Sequence, residues 1–299
     1  MSTSHIAGPP GRSQQDGPAP SKPTKKRAPK DPSESTGVSA AGVAGWFGGG
    51  FAEAGKIFRL FLEVIQGIFK RPFQFREFIE QSWFIASVAI LPSALVAIPF
   101  GAVVAMQTGS LIKQLGAEAF TGATGVLAIV QQGAPLVTSL LIAGAAGSAV
   151  AADLGARTIR EELDAMRVLG INPVQRLVVP RVIAMILIAI LLNGLVCIVG
   201  IAGGYVFNIM LQGGTPGAYL MSFAALAQLP DLVMATIKAA VFGLIAGVVA
   251  SYTGMNPKGG PKGVGDAVNL GVVLTFLLLF FANLILTAVY LQIVPPKGS

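Results

Sequence analysis

The chain has 299 residues, of which 53% are hydrophobic and only 12% charged, and its mean hydropathy is +0.71. A soluble domain carries about twice that charge fraction, so the composition excludes an ordinary soluble enzyme and makes lipid the solvent of much of the surface. One histidine, His5, and one cysteine, Cys197, exclude a His-dependent catalytic triad, a His/Cys zinc centre and a disulfide framework.

The formal charge of +7 does not point to nucleic acid, because the basic residues flank apolar blocks instead of lining one face. Residues Met1 to about Gly45, rich in Pro, Ser and Lys, read as a disordered basic tail with no cleavable secretory signal. From Phe51 to Phe69 a helical period sets in, within a region taken as residues 46–82. Ile57, Phe58, Leu60, Phe61, Leu62, Val64 and Ile65 make a broad apolar surface, broken by Lys56, Arg59 and Glu63. Charge interrupts this stretch too often for it to span, which favours a helix lying in the membrane interface. The alternative is an amphipathic helix packed on protein. Gly50 to Lys56 fits the first seven places of a P-loop, but Ile57 stands where a Ser or Thr should reach magnesium, and no strand precedes it. The chain is therefore not expected to hydrolyse ATP itself.

Five long apolar stretches follow, in a block at 83–294: Trp83 to Gln107, Val126 to Ala152, Val182 to about Leu211, Leu232 to Tyr252, and Ala267 to Val294. Each exceeds the roughly 20 residues a spanning helix needs. The segment Thr108 to Gly125 either extends the first span or forms a re-entrant piece. No Asp, Glu, Lys or Arg occurs between Glu118 and Asp153, between Arg181 and Asp231, or between Asp266 and Lys297. Eighteen of the 21 Lys and Arg residues fall in the N-terminal region and the 153–181 and 254–266 loops. By the positive-inside rule these are cytoplasmic, which puts the N-terminus inside and the C-terminus outside. The fold class is thus an all-α polytopic membrane protein with an N-terminal interfacial helix, five transmembrane helices and one short cytoplasmic helix. Gly144, Gly147 and Ser148, and the GxxxG pairs Gly200/Gly204 and Gly243/Gly247, favour close helix packing. Lys238 is expected to snorkel or to pair with Asp231, and no acidic group is expected deep in the spans, which weakens a proton-coupled mechanism.

The short helix, at about 158–170, is the most informative element. Thr158 and Glu161 have capping-box spacing, Leu163, Met166 and Leu169 fall near one face, and Gly170 with Asn172-Pro173 ends the run. A transporter driven by a separate motor needs a rigid, exposed element of this kind between two spans; the alternative is a solvated helix resting on the membrane.

Gly144-Ala145-Ala146-Gly147-Ser148-Ala149, Asp153-Leu154-Gly155, Glu161-Glu162-Leu163-Asp164-Ala165-Met166 and Leu169-Gly170-Ile171-Asn172-Pro173 closely resemble the MlaE/YrbE permease family. Arg176 to Arg181, Gly259 to Gly265 and Ala267-Val268-Asn269 continue the resemblance, which covers roughly residues 55–292. Within the family the chain looks most like the "A" permease of an actinobacterial Mce (mammalian cell entry) operon. The resemblance implies an ABC-type lipid transporter in the plasma (inner) membrane. Its expected partners are a second YrbE-type permease in a heterodimer, a cytoplasmic ATPase dimer that holds the ATP and magnesium, and a hexamer of Mce proteins. This chain itself would bind no cofactor or metal. The family's coupling helix maps onto Arg160, Glu161, Glu162, Leu163, Asp164, Met166, Arg167 and Leu169. Gram-negative relatives carry an Arg-Glu pair beside the lipid pocket where this chain has Gln131 and Gln132, followed by Gly133-Ala134-Pro135, so Gln131, Gln132 and Pro135 become candidate lipid-pocket residues. The alternative functions are an ion-coupled transporter and a non-transporting scaffold of an Mce assembly.

Overall fold

The computed structural model describes residues 40–293 except 69, 71–73, 118–119 and 227; the expected tail, 1–45, lies almost wholly outside these. The chain divides into two units, Met1–Gly49 and Gly50–Ser299, and the second holds all five long apolar helices. The described residues are all-helical, without strands. Helix α1 is Ala40–Ile68 and α2 is Phe75–Gln114; α3 runs Thr121–Ile159, α4 is the short Glu162–Val168, and α5 runs Val174–Leu211. Helix α6 is Pro216–Leu226, α7 Leu229–Met255 and α8 Gly260–Ile293. Helices α2, α3, α5, α7 and α8 are long and apolar enough to cross a membrane, so the chain is a multi-pass membrane protein. The P-loop-like Gly50–Lys56 run lies inside α1, a continuous helix, and lacks the strand and loop that cradle a phosphate.

The spans are longer than their apolar runs because the charges at their ends are neutralised within the helices. Arg76 bonds Glu80 at 2.9 Å and Glu77 accepts from Gln81 at 3.0 Å, one turn apart, so α2 begins at Phe75 instead of Trp83. Asp153 and Arg157 pair in the same way, and α3 continues to Ile159. The Thr108–Gly125 question resolves into helix: Thr108–Gln114 completes α2, Gly116 makes the turn at φ +67°, and Thr121–Gly125 opens α3.

The core sits where α2, α3, α5 and α7 meet. Ile85, Ile142, Val150, Leu154, Met185, Leu192 and Ala246 are buried there. Glycines set the spacing. A Cβ on Gly101 would lie 2.1 Å from the Gly200 carbonyl, and one on Gly243 2.6 Å from the Met185 carbonyl, so α2–α5 and α5–α7 cross at backbone contact. Gly144 has open space around it and takes no part in this packing. Cys197 is buried with Ala97, Ala134, Val137 and Val196. In α1, Leu60 and Val64 are buried against Val178, Val182 and Val248, while Phe58 and Leu62 remain exposed. Helix α8 is exposed around most of its circumference, with Phe276, Phe280, Phe281 and Leu284 outward, the surface expected of a helix facing lipid or another subunit.

Candidate functional site

Two π-helical turns interrupt α3, at Ile129–Gly133 and Ile142–Ala146. Such turns shift the carbonyls out of the regular α ladder and concentrate at functional sites. The first carries Gln131 and Gln132 into a cavity of about 150 Å³, lined also by Asp231, Met234, Ala235 and Lys238 of α7 and Thr287, Tyr290 and Leu291 of α8. Asn283, Thr287 and Tyr290 recur at helical spacing, four and three residues apart, which sets one polar face on the C-terminal half of α8.

The polar side chains form one connected network. Gln131 donates its amide to Asp231 at 2.8 Å, and the Tyr290 hydroxyl donates to the same carboxylate. Gln132 donates to Thr287 at 3.3 Å and accepts from Asn283 at 3.3 Å. The Lys238 ammonium donates to the Gln131 carbonyl at 3.0 Å and to the Thr287 hydroxyl at 2.9 Å. Lys238 neither snorkels nor pairs with Asp231: it is 2% exposed and is held by neutral acceptors. Asp231 is also buried, at 5% exposure, but it stands in the first turn of α7, at the end of the span and not deep within it. Hydrogen bonds from the neutral Gln131 amide and Tyr290 hydroxyl make that burial tolerable.

The second constellation surrounds α4. Its entry residue, Glu161, adopts a left-handed conformation (φ 59°, ψ 16°), the one non-glycine to do so among the described residues. Such a conformation is costly and persists where surrounding structure enforces it. The expected capping box does not form. Thr158 belongs to the last turn of α3, and its hydroxyl donates to the Leu154 carbonyl at 2.8 Å and to the Gly254 carbonyl of α7 at 3.2 Å. Leu163 plugs the core at 2% exposure and Met166 packs beside it. Leu169 does not share that buried face: it stands 74% exposed next to Val168 at 87%. Arg160 pairs with Glu162 at 3.2 Å and Arg167 with Asp164 at 2.7 Å, all near the surface.

A charge cluster centred on the buried Arg181, not anticipated from the sequence, lies directly beneath. Arg181 of α5 is fully buried; it donates to the Asp153 carboxylate of α3 and, at 3.1 Å, to Gln81 Oε1 of α2, with Glu77 at 3.9 Å. Arg157 bridges outward from Asp153 at 3.3 Å to Glu162 at 4.0 Å. The α4 surface is thereby joined through Arg157, Asp153 and Arg181 to the start of α2.

A family model described as "Permease MlaE" matches residues 78–289. The chain belongs to the MlaE permease family. It is 33% identical over 234 residues to a probable ABC transporter permease protein of Synechocystis, covering 78% of this chain and 88% of that one. A probable ABC transporter permease protein of Rickettsia prowazekii is 31% identical over 244 residues, 81% and 94% of the two chains. The Arabidopsis thaliana protein TRIGALACTOSYLDIACYLGLYCEROL 1, chloroplastic, is 32% identical over 205 residues, 69% and 57% of the two. The α4 region and, apart from Tyr290, the Gln131–Lys238 network fall within the MlaE-matched segment. Of the candidate pocket residues, Gln131 and Gln132 line the cavity; Pro135 is buried in the following turn and does not. The chain is a permease of the MlaE family, its relatives are named permease proteins of ABC transporters, and that class implies an ATPase partner.

Proposed function

We propose that this MlaE permease moves lipid across the membrane as the permease subunit of an Mce-type ABC transporter, with ATP and magnesium handled by a separate cytoplasmic ATPase dimer. The observation that carries the reading is α4. Leu163 and Met166 root it in the core, while Val168 and Leu169 project into solvent beside four charged side chains. An apolar tip with a polar rim is what a partner's pocket recognises. A push on α4 is transmitted to α2 and α5 through Arg157, Asp153 and Arg181, and to α7 through the Thr158–Gly254 hydrogen bond.

In this reading α4 and the N-terminus are cytoplasmic and the C-terminus extracytoplasmic, in line with the distribution of Lys and Arg. The exposed apolar faces of α2 and α8 meet lipid, a second YrbE-type permease and the Mce hexamer. The transported lipid places its headgroup in the Gln131–Lys238 cavity and its chains along apolar helix surface. The name of the Arabidopsis relative, which contains that of a glycolipid, accords with a lipid cargo. The test is co-purification of the whole complex carrying Glu161→Lys with Glu162→Lys. Loss of the ATPase from an otherwise assembled complex supports docking at α4; a bound and active ATPase overturns it. A second reading, ion-coupled transport, draws on the buried Asp231–Tyr290 hydrogen bond. Transport that continues unchanged when uncouplers collapse the ion gradients removes it.

A further inference from the structure

A second cavity, of about 270 Å³, lies between α1, the turn that joins α4 to α5, and the last turn of α7. It shares no residue with the Gln131–Lys238 cavity. Three cations line it, Lys56 and Arg59 from α1 and Arg167 from α4, against one carboxylate, Glu63. Leu60, Val174 and Met255 give it an apolar side.

The cations have donors to spare. Each has a carboxylate one helical turn away: Glu53 lies 3.3 Å from Lys56, Glu63 3.2 Å from Arg59, and Asp164 2.7 Å from Arg167. Exposed pairs of this kind hold weakly, and Glu53 also accepts from Tyr252. A guanidinium has five N–H donors, of which Arg59 and Arg167 each spend one on these pairs. Asn172 accepts the Val174 amide through its Oδ1 at 2.9 Å, so its side-chain NH2 is a further donor in the lining. Forked donors on two walls match a phosphate oxyanion.

The position of the cavity narrows the source. It sits at the ends of the spans, where α5 begins and α7 finishes. Phe58 and Leu62 of α1 are exposed, at 61% and 43%, in the same turns as Lys56 and Arg59. A helix that exposes Phe and Leu beside Lys and Arg lies at the depth of lipid headgroups. Cations that flank spanning helices at this depth collect anionic headgroups.

We infer that this cavity binds a phosphate group of net negative charge between Arg59 and Arg167, and that an anionic phospholipid of the surrounding leaflet supplies it. This lipid is a resident of the transporter and not its cargo, so the inference goes beyond the transport reading above. By bridging α1 and α4 it steadies the arm that carries Val168 and Leu169.

The test uses the assembled transporter in phosphatidylcholine nanodiscs, with rising fractions of phosphatidylglycerol in one arm and added inorganic phosphate in the other. Phosphatidylcholine carries the same phosphate beside its own cation, so the comparison isolates net charge. Amide exchange over residues 56–63 and 167–174 is followed by mass spectrometry. Phosphatidylglycerol should slow it by about tenfold in wild type, the protection given by a ligand at about ten times its Kd. Arg59→Gln and Arg167→Gln should each bring the ratio close to one, and Arg59→Lys should keep part of it. Arg76→Gln should keep all of it, because Arg76 is an equally exposed arginine, of α2, that does not line the cavity. No slowing in wild type, slowing undiminished in Arg59→Gln, or equal loss in Arg76→Gln overturns the site. Equal slowing by inorganic phosphate keeps the phosphate site and overturns the lipid as its source. Wild type and Arg59→Gln decide the matter even if Arg167→Gln loses the ATPase. Nanodiscs expose both faces and the readout needs no transport, so failure here leaves the lipid-permease reading standing, and failure of that reading leaves this site to be judged alone.

Discussion

Removing Asp153 should destabilise the protein more than removing its partner Arg181, although both changes delete the same ion pair. Arg181 is fully buried and Asp153 retains 31% exposure. In Asp153→Asn the guanidinium stays in the core with Glu77, 3.9 Å away, as its remaining carboxylate. Breaking a buried pair from one side costs about 3–5 kcal/mol. The partial exposure of Asp153 and the presence of Glu77 reduce this to about 2–3 kcal/mol. In Arg181→Met the abandoned carboxylate reaches water and keeps Arg157 at 3.3 Å, so the loss should be nearer about 1 kcal/mol. The double variant should be less damaged than the sum of the two, because no uncompensated buried charge is left. At about 2–4 °C per kcal/mol, thermal unfolding in nanodiscs, followed by intrinsic fluorescence, should fall by about 5–10 °C for Asp153→Asn and by half that or less for Arg181→Met. Equal losses, the reverse order, or strict additivity would refute the claim that the guanidinium depends on Asp153.

Leu163→Ala should cost about 2–4 kcal/mol by opening a core cavity, whereas Val168→Ser with Leu169→Ser should leave unfolding unchanged and abolish ATPase co-purification; a stable complex in the latter would remove the exposed tip as the docking element. Gly101→Val should separate α2 from α5 and cost about 1–3 kcal/mol or more through overpacking, while Gly144→Ala, facing open space in this chain, should stay within about 0.5 kcal/mol. Thermal unfolding of the pair separates the two expectations. The Tyr252 hydroxyl donates to Glu53 and, as the largest influence, holds its carboxyl below its ordinary value; burial opposes this and Lys56 assists. A lowered carboxyl means that the α1–α7 tie persists above the ordinary carboxylate range and is lost only as pH falls through the lowered value. Tyr252→Phe removes the tie at every pH, so amide exchange over residues 53–68 should already be faster at neutral pH and should lose the acid-dependent step of wild type; identical exchange and acid profiles would count against the tie.

The sequence made the architecture readable because lipid imposes a coarse and unmistakable rule: spans must be long, apolar and helical. It misplaced their ends at Phe75 and Ile159 because Arg76, Glu80, Asp153 and Arg157 count as breaks in a hydropathy tally, yet cancel one another across a helical turn. Gln131 and Gln132 could be singled out by resemblance, but their companions could not. Asp231, Lys238, Thr287 and Tyr290 converge only once α3, α7 and α8 are packed. Arg181 was visible as part of a motif, and its burial was not, since that depends on Glu77 and Gln81 from a helix about 100 residues earlier. The capping box failed for a local reason. Its Thr158 was already committed as the last turn of α3, and Glu161 turned the chain through the left-handed region instead.

The burial of Cys197 has a practical consequence for mapping the chain across a bilayer. A polar maleimide should leave its one native thiol unmodified, so the natural sequence already serves as a labelling background and no cysteine-free variant is needed. Single Lys113→Cys and Lys262→Cys substitutions, both at exposed positions, place one reporter at the far end of α2 and one in the first turn of α8. Reagent added to intact cells should mark the first and spare the second if the basic loops face the cytoplasm, and the reverse pattern would invert the whole molecule.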